Sequence, residues 1–116
     1  MRHQKNKVTL DRKKSSRRAL LASLVESLIL YEKIETTRAK AKALRPVIEK
    51  LVTKAKLQTL SSRRDIKKFL YTESAVKKMM EVIGPRFKDR HGGYTRIINL
   101  GYRENDNADK AMIEFV

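Results

Sequence analysis

Arg38, Lys40, Lys42 and Arg45 fall within the stretch IETTRAKAKALRP at 34–46, and no acid stands among them. A solvated helix usually intersperses both signs, because opposite charges support one another at the i,i+4 spacing. Like charges crowded in this way need an external anion. Polyphosphate suits them best, through counterion release and charge-assisted hydrogen bonds. Six such contacts would lower affinity by roughly 10³ between 50 and 200 mM salt. Arg38 also falls in the first turn of the helix expected here, where free backbone amides favour an anion.

Other chemistry lacks its residues. His3 and His91 have no metal-ligand spacing and read as phosphate-contacting or solvated. Gly92-Gly93 is an isolated pair, so no nucleotide-cradling glycine loop is present. Glu104, Asp106 and Asp109 lack the glycine and terminal glutamate of a calcium loop and read as a solvated acidic turn. Met79, Met80 and Met112 fall within apolar periods and read as core. With no cysteine, disulfides and thiolate metal sites are excluded. The sequence calls for no enzyme, no cofactor, no metal and no small-molecule substrate.

The elements that hold these cations must fit in 116 residues, which suits one domain of modest core. Lys and Arg number 28 against 13 Asp and Glu, a net charge of +15, beyond the usual 2–8 of a small domain. A hydrophobic content of 41% argues against wholesale disorder. The excess is concentrated in two blocks. Residues 1–18 hold eight cations and one acid, and 38–64 hold nine cations and one acid. Residues 104–116 hold four acids and one cation, the reverse of these two blocks. The apolar cluster 19–30 is too short and interrupted to span a bilayer and lacks a cleavage signal after it. The expected location is the cytoplasm, or else an organelle of bacterial descent.

Residues 1–14 carry no apolar period and are expected to form an extended basic arm, with 15–116 as one globular domain. Ser15 or Ser16 is expected to cap a first helix with Leu20, Leu21, Leu24, Val25, Leu28 and Tyr31 on its apolar face. KIET at 33–36 predicts a short strand, and Thr36 or Thr37 caps a second helix. That helix buries Leu44, Val47, Ile48, Leu51, Val52 and Ala55, with a kink near Lys42 caused by Pro46 or, alternatively, a start at Arg45. Ser62 with Asp65 predicts a capping box for a third helix, and Thr72 caps a fourth along Val76, Met79, Met80 and Ile83. Gly84-Pro85 is expected to end it. A glycine turn, an extended run, a polar loop at 102–110 and a closing strand at 111–116 complete an α+β plan: four helices on a small carboxy-terminal mixed sheet of about three strands.

A charged surface that only confers solubility, or a polybasic arm on a membrane, would also use such charge. The arm has no apolar wedge besides Val8 and Leu10, which ranks the membrane lower. DNA binding without helix-turn-helix or zinc-finger spacing stays open, as a free DNA-compacting module. Folded RNA, which exposes phosphates and ribose hydroxyls, is the economical partner of a shaped basic surface.

Three stretches together, MRHQK at 1–5, IETTRAKAKALRPVIEKLVTKAK at 34–56 and GPRFKDRHGGYTRIINLGYRENDNADKAMIEFV at 84–116, resemble the bacterial large-subunit ribosomal protein of the L-seventeen family. The likeness covers nearly the whole chain in the same order. It implies an α+β domain on the solvent side of the large subunit near the peptide exit region, bound to its ribosomal RNA beside neighbouring ribosomal proteins, in a structural role without catalysis. On this resemblance Arg2, His3, Lys5, Arg12, Lys13, Arg17 and Arg18 contact RNA, with Lys7 and Lys14 completing the arm. So do Arg38, Lys40, Lys42 and Arg45. Arg86, Arg90, Tyr94 and Arg96 around the glycine turn join them, Tyr94 either stacking on a base or packing in the core. Lys54, Lys56, Lys67, Lys68, Lys77 and Lys78 stay undecided between contact and solvation.

Overall fold

A computed structural model describes residues 9–116. Helix α1 (Lys14–Tyr31) leads into strand β1 (Lys33–Thr37), which runs straight into α2 (Arg38–Lys56). Then come α3 (Leu60–Phe69) and one continuous helical path made of α4 (Glu73–Lys78), a π-helical turn (Met79–Ile83) and the short α5 (Gly84–Arg86). The chain closes with β2 (Thr95–Tyr102) and β3 (Asp109–Phe115). This is the expected α+β plan of four helical runs and three strands. The sheet is antiparallel throughout rather than mixed, in the order β1-β3-β2. Because β3 lies in the middle, the last strand joins the early KIET strand to the hairpin, with Ile113 opposite both Ile34 and Ile97.

Alternation along β3 sends Ala111, Ile113 and Phe115 toward α2, where all three are buried. The α2 stripe answers them: Ala41, Leu44, Ile48, Leu51, Val52 and Ala55 are buried, and Val47 is half-buried beside them. Each large aliphatic side chain buried in this way stabilises the fold by about 1.5–3 kcal/mol relative to exposure. Thr37 caps α2, its hydroxyl accepting the Lys40 amide at 3.4 Å. The helix runs unbroken through Pro46, so the alternative start at Arg45 does not hold.

Several local expectations are corrected. Helix α1 begins at Lys14 with Lys13 as its cap residue and no capping side chain, so neither Ser15 nor Ser16 caps it. Its buried face is Ala22, Val25, Leu28 and Ile29, rotated from the expected one, and Tyr31 is exposed. The capping box of α3 is Thr59 with Ser62, three residues before the expected pair: the Ser62 amide donates to Thr59 Oγ1 and the Thr59 amide to Ser62 Oγ, both at 3.1 Å. Thr72 does precede α4, but its hydroxyl caps nothing. Glu26 of α1 instead holds the chain just ahead of the helix, accepting the amides of Tyr71 and Thr72 at 2.5 and 2.9 Å.

Gly84-Pro85 does not end the fourth helix. The Gly84 amide reaches back to the Met79 carbonyl, the five-residue spacing of a π turn. Pro85 cannot make the next such bond to Met80. Gln58 supplies the missing donor: its Nε2 donates to Met80 O at 2.8 Å and to Ala55 O at 2.8 Å. A glycine is required at 84 because a Cβ there would lie 2.8 Å from the Ala55 carbonyl oxygen. The helical path therefore crosses the end of α2 at backbone contact and continues.

Candidate nucleic-acid interface

Of the described residues, 38, 42 and 45 stand at i, i+4 and i+7 on α2 and are all exposed, to one side of the buried stripe. They form a row along the flank of α2 next to β2 and β3. The row starts beside the hairpin loop, where Arg38 lies 3.9 Å from Asp109 and lines a shallow cleft with Lys42, Ala108 and Asp109. It continues on the same flank through Glu49 to Lys56 at the far end, where the glycine turn packs. At 1.5 Å per residue this flank is roughly 27 Å long. Lys40 points to the other side of α2. There it shares a second cleft with Arg103 and Lys110, lined also by Glu35, Thr36 and Thr37. Lys110 was missed from sequence because it lies in the acidic tail, yet strand pairing sets it opposite Thr37.

The row is less free of acids than its local sequence suggests. Asp109 reaches Arg38, and Glu49 lies 3.9 Å from Arg45. Both contacts are long and near half-exposed on the arginine side, so each is worth no more than about 1 kcal/mol. Glu49 is committed elsewhere: it accepts the amides of Tyr94 and Thr95 at 3.1 and 3.2 Å and the Thr95 hydroxyl at 3.0 Å. Among the described residues, Lys40 and Lys42 pair with no acid.

Around the glycine turn the expected residues separate. The Tyr94 ring is 3% exposed and packs against Phe87 with centroids 5.3 Å apart, so it belongs to the core and cannot stack on a base. Arg90 stays exposed but curls over its own turn, its Nε donating to the carbonyls of Gly92 and Gly93 at 3.3 and 3.1 Å, which braces the turn. Gly92 and Gly93 adopt φ of 124° and 60°, conformations open to glycine. Arg86 bonds Glu32 beyond the end of α1, where Lys78 also approaches at 3.6 Å. The Arg86 hydrogen bond first, then the charges of Arg86 and Lys78, hold the Glu32 carboxyl below its ordinary 4.5. Arg96 sits on the sheet face away from α2, paired with Glu114 at 2.9 Å.

At the start of α1, Arg12, Lys13 and Lys14 are exposed and Arg17 half-exposed. Arg18 is tied to the Lys68 carbonyl at 3.1 Å and lies over the Phe69 ring, which joins α1 to α3. This basic patch therefore borders α3, apart from the α2 row. Arg2, His3, Lys5 and Lys7 lie outside the described residues. Of the undecided lysines, Lys56 and Lys78 are engaged internally, while Lys67 and Lys68 approach Glu73 and Asp65 at 3.7 and 3.9 Å. Lys54 and Lys77 have no acidic partner among the described residues.

In the hairpin loop, Arg103 bonds Asp106 in a fork at 3.0 and 2.5 Å. That pairing, with the Ala108 amide as a second donor, lowers the Asp106 carboxyl, and Asp106 in turn raises Arg103. Among the described residues no group of three or more acids, histidines or cysteines could hold a metal, and no helix is long and apolar enough to cross a membrane.

A family model described as ribosomal protein L17 matches residues 20–116. Over 116 residues, 100% of this chain, the sequence is 46% identical to the large ribosomal subunit protein bL17 of Treponema denticola, 47% to that of Koribacter versatilis and 48% to that of Rickettsia bellii. The chain spans 65%, 72% and 82% of the length of those three relatives, respectively.

Proposed function

The chain belongs to the ribosomal protein L17 family, and from that premise we propose that it is a structural, non-catalytic constituent of the large ribosomal subunit in the cytoplasm, binding and stabilising folded ribosomal RNA beside neighbouring ribosomal proteins. The observation that carries the RNA reading is the α2 row: Arg38, Lys42 and Arg45 stand exposed on one helix flank, where Glu49 of the same helix is turned to backbone amides and Asp109 of β3 stays 3.9 Å from Arg38. A rigid helix holding cations at fixed intervals suits a rigid polyanion whose shape and phosphates are read rather than its bases. Lys40, joined by Lys110 from β3, extends the basic surface around the start of α2. Arg12, Lys13, Lys14 and Arg17 provide a second contact patch, and the arm residues Arg2, His3, Lys5 and Lys7 continue it. Arg18, Arg86, Arg90 and Arg96 are assigned mainly to holding the protein's own backbone and acids, and Tyr94 to its core.

Gradient sedimentation of lysate at moderate salt tests the role: nearly all copies should travel with the large subunit. The competing reading, a free DNA-compacting module, gains if duplex DNA binds as tightly as ribosomal RNA at matched salt and the protein stays out of the particle.

A further inference from the structure

The α2 flank holds two polar side chains that face the protein instead of solvent. They lie seven residues apart, and both grip the segment 90–95. Glu49 accepts three hydrogen bonds from Tyr94 and Thr95. Lys56 donates to the Arg90 carbonyl and, at 2.9 Å, to the Tyr94 hydroxyl, and its ammonium lies 5.1 Å from the Tyr94 ring centre. Lys88, just before the gripped segment, and His91 within it are both exposed, and Lys88 lines one cleft with Lys56 at the end of α2. Asp89 is the one acid among residues 88–95.

We propose that Glu49 and Lys56 are positioning residues for RNA binding: they lock the 88–95 loop to α2, so that Lys88 and His91 prolong the row of Arg38, Lys42 and Arg45 into one continuous track. The proposal rests on the RNA-binding role given above. It assigns a task to an acid that would otherwise weaken a phosphate-binding surface. Glu49 spends its acceptors on two amides and a hydroxyl, and Arg45 stays 3.9 Å away and half-exposed.

Glu49→Gln separates positioning from charge, because the two predict opposite signs. The substitution removes a negative charge beside Arg45, which by Coulomb's law alone tightens binding to a polyanion. If Glu49 positions the loop, binding of the full chain to a large-subunit ribosomal RNA transcript weakens, by roughly three- to tenfold, and the salt slope falls by about one. Amide exchange at Tyr94 and Thr95 accelerates alongside. Lys88→Ala with His91→Ala weakens the wild type by a similar factor and adds little in the Glu49→Gln background. Thr95→Val, which is nearly isosteric and changes no charge, shifts binding in the same direction and keeps the test open should Glu49→Gln fail to fold. Unchanged or tighter binding in the folded variants overturns the proposal. A wild-type chain that binds the transcript no better than duplex DNA, or no worse after Lys42→Gln, instead overturns the RNA-binding role itself.

Discussion

Replacing Arg38, Lys42 and Arg45 together by glutamine removes the proposed row while leaving the fold in place. The two ion pairs lost, Arg38–Asp109 and Arg45–Glu49, are both 3.9 Å long and near half-exposed on the arginine side, and Lys42 has no acidic partner among the described residues. Glutamine is a good helix former, so stability should fall by no more than about 1 kcal/mol. For a domain of this length that is a drop of roughly 4 °C in Tm. The effect on binding is much larger. Three lost phosphate contacts reduce the slope of log K against log salt by about 2–3. Between 50 and 200 mM salt the wild type should therefore lose roughly 15- to 60-fold more affinity than the variant does. Filter binding of a large-subunit ribosomal RNA transcript at several salt concentrations, with thermal unfolding by circular dichroism, measures both quantities. Parallel salt slopes in two equally folded proteins would refute the reasoning.

Three further outcomes follow from the fold. Gln58→Ala strips donors from two partly buried carbonyls, Ala55 and Met80, and should cost about 1–3 kcal/mol, or roughly 4–12 °C in Tm by calorimetry; an unchanged Tm would show that water replaces the amide at no cost. Gly84→Ala forces a Cβ to 2.8 Å from the Ala55 oxygen and from Gln58 Nε2, and should destabilise by about 1–3 kcal/mol in urea unfolding. Because the clash includes the Gln58 side chain, the double variant should be less destabilised than the sum of the two singles. Glu32 has its carboxyl lowered from 4.5, chiefly by the Arg86 hydrogen bond, so its stabilising effect is full above that value and lost as pH falls through the lower folded value. The stability difference between wild type and Glu32→Gln should shrink on acidification below 4.5, and solvent screening at this half-exposed site keeps it small throughout. A difference constant across that range contradicts the assignment.

What the sequence could reveal was whatever depends on neighbours along the chain. The spacing of Leu44, Ile48, Leu51 and Val52 marks the buried face of α2, and Thr37 sits at a strand-to-helix junction that its own hydroxyl helps to close. The basic row on α2 was legible for the same reason, since a helix sets 38, 42 and 45 on one side whatever surrounds it. Its boundary was not legible. Asp109 and Thr95 arrive at the α2 flank only because β3 inserts between β1 and β2. The apparent stop at Gly84-Pro85 failed because Gln58, remote in sequence, satisfies the carbonyl that proline leaves open. Thr59 carries no capping-box signature in the sequence because its partner three residues on is Ser62 and not an acid or amide. Tyr94 was ambiguous between base and core because its partners, Phe87 and Lys56, reach it through tertiary packing.

The most direct test puts a photoreactive side chain at position 42 of the full chain and asks what it captures within purified large subunits. If the exposed face of α2 lies on ribosomal RNA, the cross-link falls on that RNA, and the same probe at Ile98, on the far face of the sheet, does not yield the same RNA product. A probe at position 42 that captures only water or protein, in particles that contain the chain at full occupancy, contradicts the central claim.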